Sequence, residues 1–176
     1  MTKQQLEEIS KEICALNVGV WDKADIGEGL VRLLDGLCAL RIAVRLKRNA
    51  NRNMFDCMCE NRMHREPDFA KDYKQYIRYS TEERFADLLL AVLYLAAAKE
   101  MNFDALQPEF KRKFREFTFS NNCFAFSKLV MSVLPIKKRV IMMTGFVISW
   151  AKSEDVDLDF YVKERIKYLK LNKKED

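Results

Sequence analysis

The 176-residue chain predicts an all-α helical bundle, and three observations predict it. Only 5 glycines and 3 prolines punctuate it, too few for the many tight turns of an all-β protein. Apolar residues recur at spacings of three and four along most of its length, the period of one buried helical face. A content of 49 % apolar and 32 % charged residues is that of a globular domain and excludes intrinsic disorder.

Taken in order, Leu6, Ile9, Ile13 and Leu16 predict a first helix over 4–17. After the interruption at 18–22, Asp25 offers an N-cap, and Glu28 stands three residues on, where it can close a capping box. A second helix then runs from Ile26 to about Leu46 on Leu30, Leu33, Leu34, Leu37, Leu40 and Val44. It ends on Arg41, Arg45, Lys47 and Arg48, where cations suit the helix dipole. Residues 49–68 show little periodicity and predict an irregular surface excursion before a short helix over 69–77. Thr81, Glu82 and Glu83 open the most apolar segment, whose Phe85, Leu88, Leu89, Val92 and Leu93 predict a central helix. Asn102 to Asp104 break it, and Asp104 caps a basic helix expected over 105–117. Three more helices are predicted over 124–134, 136–152 and 158–171, with Pro135 at the entrance of the second.

Several classes drop out on the same reading. Residues 1–12 are charged and polar, so no secretory leader is expected there, and a cytoplasmic location follows. The longest apolar stretches, 85–98 and 140–151, are shorter than the ~20 residues a bilayer crossing needs, so no membrane partner is expected. Five cysteines, an odd number mostly set in helical patterns, argue against a disulfide framework.

Sliding the last third of the chain over the middle matches without gaps at one offset, the 55 residues between Arg84 and Arg139. Val92 falls on Val147, Ala96 on Ala151 and Asp104 on Asp159. Either chance or a decayed helix pair explains this. In the second case one chain holds both halves of a pseudo-dimeric four-helix core.

The run Asn17 to Trp21, Asp25-Ile26-Gly27-Glu28-Gly29-Leu30, the apolar helix ending in Arg45, Tyr76-Ile77, Ser80 to Asp87, and Asn102-Phe103-Asp104 resembles the MazG-type all-α nucleoside triphosphate pyrophosphohydrolases. The resemblance covers roughly residues 5–118. It implies a helical bundle that assembles as dimers or tetramers and cleaves nucleoside triphosphates between the α- and β-phosphates. It also implies magnesium held by an E-x-x-E pair on one helix and an E-x-x-D pair on a facing one. Residues three apart share a helical face, so four carboxylates converge on hard cations. In this chain the first pair falls on Gly36 and Ala39, and the second on Arg84 and Asp87. Only Asp87 remains, so the formal charge at the focus moves from about −4 to about 0, and a divalent ion loses its reason to settle there.

The leading expectation is therefore a non-catalytic relative, with no cofactor, acting through protein contacts or metal-free nucleotide binding. Its expected partners are a nucleotide and a second copy of the chain or another protein. The alternative is an active enzyme that uses Mg²⁺ at a shifted site of Glu28, Asp35, Glu83 and Asp87, against which a one-residue shift turns a side chain by about 100°. Trp21, Arg45 and Arg48 are the candidate substrate-binding residues. A third reading uses the basic run 41–52 to bind nucleic acid or phosphate, without any recognisable reading motif to support it. Cys57, Cys59 and His64 are too few for a zinc site, and a lone histidine without an oxyanion loop sets hydrolase triads aside. Two segments are expected: a MazG-like helical module over 1–118, and C-terminal helices over 119–176 packing on the same core.

Overall fold

A computed structural model describes residues 1–16, 25–61, 66–101, 103 and 114–172. Among them lie eight α-helices and a 3-10 turn at Phe114–Glu116, with no strand. The helices are α1 (Lys3–Leu16), α2 (Ile26–Arg45), α3 (Arg52–Asn61), α4 (Glu66–Tyr76), α5 (Thr81–Ala98), α6 (Phe119–Val130), α7 (Ile136–Ser153) and α8 (Leu158–Asn172).

The central helix is α5, buried on nearly every side and packed against α1, α2, α7 and α8. Helices α2, α5, α7 and α6 close a ring in which each packs on the next, and α6 returns to α2. The backbone N–H of Thr81 donates to the Arg48 carbonyl at 2.6 Å, so α5 begins where α2 ends and runs antiparallel to it. The Phe85 ring meets Trp150 edge-on at 5.2 Å and Phe119 at 6.4 Å. The end of α7 and the start of α6 therefore sit at that same end of the bundle. One apolar core results, drawing on Leu33, Leu37 and Leu40 of α2, Phe126 and Val130 of α6, and Phe146 and Trp150 of α7.

Helix starts follow local chemistry. Asp25 caps α2 by accepting from the Glu28 N–H at 3.1 Å, but the Glu28 carboxylate turns to Arg32 at 2.8 Å and closes no capping box. Ser80, not Thr81, caps α5, accepting from the Glu83 N–H at 3.1 Å. Helix ends share one device. Lys47, Glu100 and Asp155 each take a positive φ (52, 49 and 59°). The next residue's N–H then reaches back to Ala43, Ala96 and Ala151 at 3.0 to 3.1 Å, as in a Schellman closure.

The offset of 55 residues carries Thr81–Ala98 onto Ile136–Ser153, the bounds of α5 and α7, and carries Glu100 onto Asp155.

Residues 49–68 differ from the expected excursion, because most of them form α3 and the start of α4. Asn51 caps α3 by accepting from the Met54 N–H at 3.2 Å. Phe55 pins it, with its ring 5.7 Å from Phe69, 6.2 Å from Tyr73 and 6.3 Å from Phe160. Phe55 is the one fully buried side chain of this helix, with Cys59 one turn on packed beside the core, a stripe too short to stand out in the sequence. The helix expected over 105–117 falls mainly outside the described residues.

Trp150 is fully buried where α5, α6 and α7 meet, whereas Val133 is wholly exposed. In urea denaturation, Trp150→Ala is expected to cost about 3 to 5 kcal/mol. Val133→Ser is expected to stay within about 0.5 kcal/mol of the wild type.

Candidate functional site

Gly36 and Ala39 lie one turn apart on α2, and Arg84 and Asp87 one turn apart on α5. All four line one open cleft of about 360 Å³, walled also by Ile13 of α1 and by Arg165 and Leu169 of α8. Arg32 and Asp35 complete its polar wall. The α2 and α5 faces meet here, and the glycine is not what permits the approach. A Cβ built on Gly36 would meet the Leu88 Cδ1 at 3.5 Å, an ordinary contact.

The α5 carboxylates at this cavity, Glu83 and Asp87, are already paired. Arg165 Nε donates to Asp87 Oδ1 at 2.7 Å, and Arg84 Nη1 donates to Asp87 Oδ2 at 2.9 Å. Arg165 Nη1 also lies 3.2 Å from Glu83 Oε1, close enough for an ion pair. Glu83, itself fully buried, accepts from the Tyr73 hydroxyl at 3.0 Å, from Arg78 Nη1 at 3.3 Å and from the backbone N–H of Tyr79. The Tyr168 ring stacks on Tyr73 at 4.4 Å, and the Arg165 guanidinium sits 5.6 Å from the Tyr168 centroid. Burial pulls the Arg165 pKa down, but Asp87 and Glu83 outweigh it, and the net shift is upward. The guanidinium therefore stays charged while buried. Burial, then the neighbouring Glu83 carboxylate, push the Tyr73 phenol well above its ordinary value.

The predicted residues divide accordingly. Glu83 and Asp87 come together through Arg165, and Asp35 joins Asp87 on the cavity wall. Glu28 stands apart in its pair with Arg32. Among the described residues no group of three or more His, Cys, Asp and Glu side chains is placed to hold a metal ion. Arg45 and Arg48 are exposed and do not line the cavity, and Trp21 lies outside the described residues. Cys57 and Cys59 sit two apart on α3, on different sides of that helix, which opposes joint coordination. The side chain of His64 lies outside the described residues. Arg165 escaped the reading of the sequence. Its only signal was an arginine among buried-face positions of the last helix, between Val162 and Ile166.

No family model matches the sequence, and comparison with curated proteins and with solved structures gives no match either.

Two outcomes follow. Tyr73 is protonated in the fold beyond the pH at which it ionises in the unfolded chain, so its contribution is complete below about pH 10 and is lost as pH rises further. Urea titrations above about pH 10 should lose roughly 1.4 kcal/mol per pH unit from this one group, and Tyr73→Phe should flatten the slope by one proton. Carboxylates introduced by Gly36→Glu, Ala39→Glu and Arg84→Glu, with Arg165→Gln to free Asp87, should create magnesium binding in calorimetry. Absence of binding in the folded variant would contradict the placement of these positions around a common focus.

Proposed function

We propose that this chain is a non-catalytic relative of the MazG-type pyrophosphohydrolases, working through binding contacts rather than turnover. The observation that carries the reading is the cavity in which Gly36, Ala39, Arg84 and Asp87 meet. The resemblance assigns these four positions to metal-binding carboxylates, and here the one carboxylate left is neutralised by Arg84 and Arg165. Two arginines thus take the electrostatic place of divalent cations: they pair with Glu83 and Asp87 without supplying a Lewis acid or an activated water. A shifted magnesium site would need Glu83, but both of its oxygens already accept hydrogen bonds in a fully buried setting.

The shared bounds of α5 and α7 and their matching left-handed closures at Glu100 and Asp155 support a tandem origin. In that reading α6 and α7 are a decayed second copy, and Met142 stands where the first has Asp87.

Incubation of the purified chain with each nucleoside triphosphate and magnesium is expected to release no pyrophosphate above the buffer rate, with or without Asp87→Ala. Turnover that disappears in Asp87→Ala would contradict the proposal.

A further inference from the structure

Nine large apolar side chains are strongly exposed among the described residues, and seven of them belong to α2, α6 or the chain next to these helices. Val31 and Ile42 lie on the outward side of α2, with Leu46 just past its end. Phe124 (61 % exposed) lies on the outward side of α6, followed by Met131 (68 %) and Val133 (103 %) in the turn beyond. The two helices pack together, and α6 starts at the end of the bundle where α2 finishes, so they lie antiparallel and their outward sides form one surface.

That surface is also cationic. Residues 36–51 and 117–151 contain no Asp or Glu and carry eight of the chain's 31 Lys and Arg, leaving 23 against 26 acids for all the rest. Arg41 and Arg45 are exposed on α2, and Lys128 on α6 lies 4.5 Å from the centre of the Phe124 ring. Lys47 and Arg48 at one end, and Lys137 and Lys138 at the other, are exposed as well. Asp35 is the one carboxylate of α2 beyond Glu28.

We propose that the outward face of α2 and α6 docks on an anionic lipid bilayer. No helix of the described residues is long and apolar enough to cross a membrane, and lying on the surface requires none. A bilayer interface satisfies both halves of the pattern: apolar side chains enter the acyl boundary while Arg and Lys meet lipid phosphates and carboxylates. Other occupants satisfy only one. A second copy would set Arg41, Arg45 and Lys128 against their own equivalents, with Asp35 the one exposed carboxylate on α2 and α6 to offset them. Nucleic acid would use the cations and leave Ile42, Leu46 and Val133 in water. A peptide held in a groove would need lining residues, whereas Phe124, Met131 and Val133 project.

The test is flotation of the full chain with phosphatidylcholine vesicles, with and without about 30 % phosphatidylserine, at low and high salt. Flotation is expected only with the anionic vesicles, and it should weaken as salt rises. Charge reversal by Arg41→Glu, Arg45→Glu and Lys128→Glu together should lower it about hundredfold. Ile42→Ser with Phe124→Ser, or Met131→Ser with Val133→Ser as an independent pair, should each lower it about tenfold or more. Circular dichroism must show each variant folded. Failure of the wild type to float overturns the proposal, as does flotation that both apolar pairs leave unchanged. Salt-sensitive retention on DNA without flotation, or a dimer that forms through this face without flotation, overturns it as well.

Discussion

The buried guanidinium of Arg165 is the interaction on which the rest of the site depends. It reaches from α8 to two carboxylates one turn apart on α5, the helix at the middle of the bundle. An unpaired Glu83 in this position would carry the full cost of a buried charge, which in proteins amounts to several kcal/mol. Pairing changes what the acids can do. Carboxylates whose oxygens are occupied by Arg84, Arg165, Arg78, Tyr73 and the Tyr79 backbone anchor the fold; they are not a vacant ligand set. The same helix geometry that could focus acids on a cation here focuses arginines on acids.

This arrangement ties the last helix to the middle of the chain. Through Arg165 and the Tyr73–Tyr168 stack, α8 is bound to α5 and α4, so residues beyond 118 complete the wall of a cavity begun by α2 and α5. The repeated 18-residue span of α5 and α7 gives the bundle two long apolar helices that cross at Phe85 and Trp150. Neither helix has a polar side free to serve as a wide solvent face. The exposed surface is carried instead by α2 and α6, where apolar and basic side chains alternate.

Much of the helical order was legible in the sequence, because α1, α2, α5, α7 and α8 each repeat apolar residues with the helical period over three turns or more. Their ends were less so. Lys47, Glu100 and Asp155 adopt the left-handed closure usually marked by glycine, so nothing in the residue types announced it. The segment containing α3 was hidden for a different reason: its core-facing stripe is only Phe55 and Cys59, and the partners that secure Phe55, Phe69 and Phe160, lie outside the helix. At the site, the positions of Gly36, Ala39, Arg84 and Asp87 around a common cavity follow from i, i+3 spacing on two helices. Their neutralisation does not. Arg84, three residues away, supplies one partner, but the other is Arg165, 78 residues from Asp87, and pairing over that separation leaves no local pattern to read.

Arginines, not divalent ions, neutralise Glu83 and Asp87 of α5. Unfolding in urea with about 10 mM magnesium chloride, compared with sodium chloride at equal ionic strength, distinguishes the two, since a ligand that binds only the native state must raise its stability. An unmoved midpoint is expected. A midpoint raised by magnesium in the wild type, and unresponsive to it in Asp87→Asn, would show a divalent ion at these acids instead.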